Sequence, residues 1–401
     1  MKIPKLGPGI LVTAAFIGPG TVITASLAGA NFGFALVWAL IFSILATIIL
    51  QEMAVRLGLV TSQGLGANIR EELTHPVLRI LGIALVVSAI VIGNAAYQGG
   101  NISGASLGLS HLFGDQVTSK LWPLVIGILS FLLLWSGKYK LIEKSLIGLV
   151  GLMSVAFIST FIITKPSLIE IFGDFTIFSL PKGATLTAVA LIGTTIVPYN
   201  LFLHSSTVSQ KWQNPNQLPE ARNDLYLSIS LGGLITLAIL STAATAFFGK
   251  HLSLNSAADL APSLQPLFGE YAELLMATGL FSAGISSAIT APLAAAFALS
   301  GILNLDQKLS SLSFRMIWIS VLLIGMLTAL SGYKPIHIIW FAQVANGLLL
   351  PIITVFLIAI MNSKKLGKYK NNVWQNMLGV SILIVVLLLS SRSLMSAFGL
   401  L

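Results

Sequence analysis

The 401-residue chain contains no cysteine and very few charged residues. Without cysteine it has neither disulfides nor thiolate metal ligands. Asp, Glu, Lys and Arg make up 9% of the sequence, whereas soluble domains carry roughly 25%. Hydrophobic residues make up 56%, and the mean hydropathy is +0.93. This composition excludes an ordinary soluble domain and indicates a polytopic membrane protein.

Signatures of catalysis are also missing from the sequence. We find no P-loop lysine motif, no Ser/His/Asp cluster and no loop long enough to form a domain outside the membrane. The net charge of +9 is explained by basic loops that face an anionic inner leaflet. We therefore expect no enzyme activity, no cofactor and no nucleic-acid partner.

Apolar stretches near the roughly 20-residue length that crosses a bilayer predict eleven transmembrane helices. They lie at about 8–30, 33–56, 77–106, 121–136, 142–164, 184–208, 225–248, 271–303, 314–332, 336–361 and 372–391. If the N-terminus is cytoplasmic, most of the 22 Lys and Arg residues lie on that side, as the positive-inside rule requires. We therefore expect an integral protein of the bacterial inner (plasma) membrane, with its C-terminus outside.

Two of these spans are interrupted by a proline within a polar cluster. The first contains Gly18-Pro19-Gly20-Thr21, and the sixth contains Pro198 within 194–200. A proline inside a helix removes a hydrogen-bond donor and frees backbone groups at membrane depth. Broken helices at equivalent positions of two halves are typical of transporters with inverted repeats.

The positions of the breaks divide the chain into two units of five spans. An odd number of spans forces the second unit to insert upside down, which predicts an all-α, LeuT-type 5+5 inverted repeat with discontinuous helices 1 and 6. We expect a single transmembrane transporter domain over 1–401. Its predicted parts are a first repeat at 1–164, a second at 184–361, and an extra eleventh helix at 372–391.

Three segments resemble the Nramp (natural resistance-associated macrophage protein) family of proton-coupled divalent metal transporters. The segment 190–206 is similar to the sixth helix of that family, where a Met-Pro-His-Asn core precedes Leu-His-Ser. The segment 18–21 is similar to the first-helix Asp-Pro-Gly-Asn, and 279–290 resembles the eighth helix. The resemblance covers most of the chain and implies the LeuT-type fold.

The same resemblance implies that the family's ligands are replaced in this chain. The first-helix Asp and Asn correspond to Gly18 and Thr21, and the sixth-helix Met corresponds to Val197. The ligating carbonyl corresponds to that of Thr194. A third-helix Asp and Glu pair corresponds to Gln98 and Asn101, which do not titrate. Because a dehydrated divalent ion needs anionic or strong oxygen ligands, we expect an altered, uncharged site and not the usual proton-coupled manganese or iron mechanism.

We predict a substrate site made of polar, uncharged residues near the breaks. Its predicted members are Gly18, Gly20, Thr21, Gln98, Asn101, Thr194, Val197, Tyr199, Asn200, Gln343 and Asn346. His204 is the candidate for proton coupling because imidazole titrates near neutral pH. The alternative is a structural histidine that bonds to a neighbour. An alternative role for Asn94, Tyr97, Gln98 and Asn101 is hydrogen bonding between helices. The sequence leaves the metal ligands unknown.

Three functions fit this pattern. The first is an Nramp-like secondary transporter of a hydrated divalent cation such as magnesium, working by alternating access. The second keeps the fold and moves a small anion or organic solute, such as bicarbonate or an amino acid, toward the positive N-terminal end of the second half-helix. The third is a transport-inactive sensor or scaffold. The expected partners are a small solute or ion and the lipid bilayer, and the oligomeric state is left open.

Overall fold

The computed structural model describes residues 7–113, 120–137, 139–166, 169, 171, 180–250 and 257–397. Throughout these residues the regular elements are helical. The main helices are α1 (Pro8–Phe16), α2 (Pro19–Phe32), α3 (Val37–Thr61), α4 (Leu65–Glu72), α5 (Pro76–Phe113), α6 (Leu121–Trp135), α7 (Tyr139–Thr164), α8 (Thr185–Thr195), α9 (Pro198–Lys211), α10 (Leu218–Phe247), α11 (Ala272–Leu303), α12 (Leu312–Ala329), α13 (Pro335–Met361) and α14 (Val373–Ala397).

Eight helical segments of the described residues are long and apolar enough to cross a membrane. Two shorter apolar segments also lie at predicted spans: α6 (Leu121–Trp135) and the C-terminal part of α7, Ser154–Thr164. The predicted first span consists of α1 and α2. All-helical membrane architecture is confirmed, while the count of eleven and the repeat boundaries stay predictions.

Two helices extend well beyond the predicted spans. The helix α10 begins at Leu218, although the apolar run predicted a start near residue 225. The difference arises because the first two turns of α10 carry polar and charged residues such as Arg222 and Asp224. The helix α5 continues to Phe113 through small and polar residues. Hydropathy detects only the apolar part of a helix, so such ends escape a search for apolar runs.

The two broken segments lie inside the bundle, and the long helices surround them. The helix α5 packs against α11, α12 and α13, α2 packs against α10, and α8 packs against α13. Close approach depends on small residues: a Cβ at Gly29 of α2 would lie 2.3 Å from the Leu240 carbonyl oxygen of α10. At Gly193 of α8 it would lie 2.1 Å from the Gln343 carbonyl oxygen of α13. These contacts fix both breaks against their neighbours.

Candidate substrate site at the two helix breaks

Both predicted breaks are present, and each is set by its proline. The helix α1 ends at Phe16 and α2 begins at Pro19, while α8 ends at Thr195 and α9 begins at Pro198. Two residues with non-helical backbone separate the halves in each case, and Gly18 and Val197 are both extended. The prediction of discontinuous helices is confirmed.

The two breaks meet directly through a pair of threonines. Thr21 Oγ1 at the start of α2 lies 2.9 Å from Thr194 Oγ1 in the last turn of α8. Thr21 Oγ1 also donates to the carbonyl oxygen of Phe16 across the first break. Both threonines are fully buried. The sequence placed these residues in one site, and the structure brings them into hydrogen-bond contact.

Prolines at membrane depth free a carbonyl four residues earlier, and most of these carbonyls have found a donor. The Tyr97 hydroxyl donates to Ala15 at 3.1 Å, opposite Pro19. Gln98 Nε2 donates to Ala288 at 3.0 Å, opposite Pro292 of α11. Ser390 Oγ donates to Gly347 at 3.2 Å, opposite Pro351 of α13. These bonds satisfy the gaps that a proline leaves in a helix.

The carbonyl of Thr194 differs from these three. Pro198 removes the amide that would bond to it, and no donor of the described residues pairs with it. The next carbonyl, that of Thr195, accepts a hydrogen bond from Thr47 Oγ1 at 3.4 Å. Among the described residues, the Thr194 carbonyl is therefore left without a donor beside the two threonine hydroxyls.

Two further polar side chains cover the glycines on either side of Pro19. A Cβ at Gly18 would lie 2.5 Å from Ser287 Oγ of α11, and one at Gly20 would lie 2.2 Å from Gln343 Nε2 of α13. Ser287 Oγ and Gln343 Oε1 are buried and lack a hydrogen-bond partner among the described residues. Gln343 was predicted from the sequence, and Ser287 was not.

Tyr199 and Asn346 lie together on another side of the second break. They line a small cavity of about 10 Å³ with Asn94, enough for about one water. Asn94 Oδ1 and Asn346 Nδ2 have no partner in the described part of the chain. The Tyr199 ring contacts that of Tyr97 edge-on, with centroids 5.3 Å apart.

The remaining predicted residues are buried but have other neighbours. Gln98 bonds to α11, as described above, and Asn101 Nδ2 lies 3.5 Å from Gln98 Oε1. These bonds fit the alternative role in helix contacts, and binding of cargo by the two amides stays a prediction. Val197 supplies its carbonyl to the Asn200 amide at 3.0 Å. Neither side-chain amide atom of Asn200 is paired with a described residue.

His204 connects α9 to α3. Its Nδ1 lies 2.9 Å from Gln51 Oε1, and its Nε2 has no partner among the described residues. A proton-coupling role for His204 is neither supported nor opposed by this contact. Gln51 and Thr47 were missed by the sequence reasoning, although a polar residue in a long apolar run such as 37–50 is a usable signal.

The described carboxylates with hydrogen-bond partners lie away from the breaks. Glu52 pairs with Arg56 and Arg222 at 3.0 and 2.6 Å. In α4, hydrogen bonds from Gln63 and Lys365 hold the pKa of Glu71 below its ordinary value. No group of three or more His, Asp or Glu side chains that could hold a metal occurs within the described residues. The groups at the breaks that could bind a cargo are therefore neutral oxygens and amides.

Comparison with known proteins identifies what the chain is similar to. The profile of the natural resistance-associated macrophage protein-like (Nramp) family matches residues 9–396. The divalent metal cation transporter MntH of Staphylococcus saprophyticus is 29% identical, and the alignment covers 98% of this chain and 92% of that protein.

Solved structures show the same fold. A mutant of the manganese transporter of Eremococcus coleocola superposes with a TM-score of 0.79 at 23% identity, over 98% of this chain and 86% of that one. MhsT, in complex with L-phenylalanine, superposes with a TM-score of 0.64 at 15% identity, over 96% of this chain and 98% of that one.

Proposed function

The chain belongs to the natural resistance-associated macrophage protein-like (Nramp) family, and from this premise we propose that it moves a hydrated divalent cation such as Mg²⁺ by alternating access. It is an integral membrane transporter with the LeuT-type 5+5 fold, and it is not an enzyme. The metal named for its relatives supports a divalent cation as cargo. The bacterial relatives support a location in the plasma membrane, and the basic loops support a cytoplasmic N-terminus.

The observation that carries this proposal is the Thr194 carbonyl, left without a donor among the described residues, beside the Thr21 and Thr194 hydroxyls. Neutral oxygens stabilise a cation, but they compensate poorly for the loss of its whole water shell. Mg²⁺ dehydrates reluctantly and usually keeps several waters, so neutral oxygens that bond to those waters suit it. The break residues 16–21 and 194–200 include no Met, Cys, Asp or Glu that would favour a dehydrated transition metal.

The site is closed to solvent in this conformation. The side chains predicted to bind cargo are at most 2% exposed, and the cavity beside Tyr199 has room for about one water. A hydrated ion is larger than that space, so it binds only after the surrounding helices move. Alternating access supplies such a movement, because one bundle rocks against the other around the site.

Uptake by purified protein in liposomes tests the proposal. We expect uptake of Mg²⁺, with little or no uptake of Mn²⁺, bicarbonate or amino acids. Thr21→Val and Thr194→Val each remove a hydroxyl, and we expect each to lower uptake about tenfold, the equivalent of about 1.4 kcal/mol for one lost hydrogen bond.

A matched control is Thr354→Val in α13. Thr354 is equally buried, but among the described residues its hydroxyl bonds within its own helix, to Leu350 at 2.9 Å. We expect this variant to transport like the wild type. Uptake of bicarbonate or an amino acid in place of Mg²⁺ would overturn the cation proposal in favour of the second function. Absence of all uptake would favour the sensor or scaffold.

A further inference from the structure

Ser287 of α11 is a buried hydroxyl with no structural task in the described residues. It is fully buried, and its Oγ has no hydrogen-bond partner there. Buried serines and threonines in this bundle commonly bond to a carbonyl of the preceding turn, as Thr290 does to Ser286 at 3.1 Å. A buried hydroxyl without a hydrogen-bond partner destabilises the folded protein. Such a hydroxyl is therefore a candidate for binding a ligand.

The direction of the Ser287 side chain is given by Gly18. A Cβ built on Gly18 would lie 2.5 Å from Ser287 Oγ and 3.6 Å from the Tyr97 hydroxyl. Ser287 therefore points at the extended residue between α1 and α2. The Ser287 hydroxyl oxygen occupies the space that a side chain at position 18 would need.

The oxygens around Gly18 favour a cation. Gly18 lies between the C-terminal end of α1, where the helix dipole places partial negative charge, and the N-terminal end of α2, where it places partial positive charge. The oxygens, and not the dipoles, therefore decide the sign of the ligand. The carbonyl of Phe16 faces the break and accepts from Thr21. On the other side of Pro19, Gln343 Oε1 is a second oxygen without a partner in the described residues. Two free oxygens, from α11 and α13, thus flank the Gly-Pro-Gly turn.

We propose that Ser287 is a cargo ligand, whose hydroxyl oxygen contacts the hydrated cation at the first break. This inference rests on the proposed function, because it assumes that the breaks hold the cargo. It adds α11 to the elements that bind cargo and makes residues 18 and 287 a coupled pair. A side chain at position 18 would displace Ser287 Oγ from the break, so the two positions compete for one space.

The test is the concentration dependence of cation uptake by Ser287→Ala, which removes the hydroxyl and keeps the Cβ. The matched control is Ser282→Ala on the same helix. Ser282 Oγ is also buried and unpaired among the described residues, but it lies about five residues away on a different face. We expect the KM for Mg²⁺ to rise about tenfold in Ser287→Ala and to stay unchanged in Ser282→Ala.

Gly18→Ala is the second variant, and it keeps Ser287. Its Cβ displaces Ser287 Oγ, so we expect the same rise in KM, even if Ser287→Ala folds poorly. Thermal unfolding with and without Mg²⁺ provides a readout of binding: Mg²⁺ should stabilise the wild type and Ser282→Ala more than the other two variants. An equal KM in all four proteins would overturn the inference.

The outcome also separates this inference from the proposed function. If the wild type takes up Mn²⁺ or Ca²⁺ but not Mg²⁺, the proposed cargo is wrong, and the KM comparison is made with the transported ion. If the wild type takes up Mg²⁺ and both Ser287→Ala and Gly18→Ala keep its KM, only the role of Ser287 is wrong. If no cation is taken up, both fail.

Discussion

Single residues at the two breaks determine how much charge the site can hold. The resemblance to Nramp transporters implies a carboxylate at position 18 and a thioether at position 197, where this chain has glycine and valine. Ser287 Oγ fills the space beside Gly18. An aspartate at position 18 therefore competes with the Ser287 hydroxyl for this space, and alanine at 287 removes the competition.

We predict that the triple variant Gly18→Asp, Val197→Met, Ser287→Ala gains Mn²⁺ uptake, because the aspartate supplies the anionic oxygen that a dehydrated Mn²⁺ needs. The methionine restores the thioether that the resemblance to the family implies at position 197. Mn²⁺-dependent fluorescence quenching inside liposomes measures the gain. The double variant that keeps Ser287 should gain less, since the aspartate and the serine compete for one space. Equal Mn²⁺ uptake by the triple variant and the wild type would contradict this account of the missing ligands.

Sequence reasoning at this scale found the residues that interrupt the helices but only some of those that face them: Gln343 was predicted, and Ser287 was not. Thr21 and Thr194 adjoin prolines, and a proline inside an apolar run is visible in the sequence. Ser287 and Gln51 act across the bundle, and their importance depends on which helix lies opposite. The role of Gln98 depends on the carbonyl of Ala288, which lies 190 positions further along the chain. No local pattern contains such a pairing.

Among the helices, α1 has an unusual N-terminus. Its first amides are not capped by its own side chains. Instead the Asp224 carboxylate of α10 accepts hydrogen bonds from the Gly7 and Gly9 amides, at 2.8 Å each. A Cβ at Gly7 would lie 2.3 Å from Asp224 Oδ2. The Asp224 carboxylate therefore holds the N-terminal end of α1. Its negative charge also stabilises α1 by interacting with the positive end of the helix dipole.

We predict that Asp224→Asn releases α1 and exposes its buried face more often, since a hydrogen bond to a charged group contributes about 1.5–3 kcal/mol. The chain has no cysteine, so a single Val12→Cys substitution gives a labelling site without background. Val12 is fully buried in α1. A maleimide should label Val12→Cys several times faster when Asp224→Asn is also present.

Glu220→Gln is the control for this measurement, because Glu220 is an exposed carboxylate in the first turn of the same helix. It should leave the labelling rate unchanged. Equal rates with and without Asp224→Asn would show that the carboxylate does not hold α1 in place.

The contact between Asp224 and α1 is an example of helix structure that the sequence did not predict. The two breaks and the approximate spans followed from prolines and apolar runs, because both are properties of one segment. The capping of α1 by α10 did not follow, since it joins residues 217 positions apart. The polar first turns of α10 that supply Asp224 lie outside the apolar run that predicted the span.

For the whole molecule, the absence of charged side chains from the break residues 16–21 and 194–200 determines which gradient can drive transport. A site that balances a divalent cation with a carboxylate can release or take up a proton in the same cycle. Here the described carboxylates with hydrogen-bond partners bond elsewhere, such as Glu52 with Arg222 and Asp224 with α1. Transport without a counter-moving proton carries the full charge of the ion across the membrane.

We therefore predict that uptake responds to membrane potential and not to a pH gradient. An inside-negative potential of about 100 mV is worth about 2.3 kcal/mol per charge, hence about 4.6 kcal/mol for a divalent ion. Because about 1.4 kcal/mol corresponds to a tenfold ratio, this potential supports roughly a two-thousandfold accumulation. A potassium diffusion potential across the liposome membrane should accelerate Mg²⁺ uptake, whereas an imposed pH difference alone should not. Acidification of the lumen during uptake, abolished by His204→Gln, would instead assign proton coupling to His204 and contradict the uncoupled mechanism.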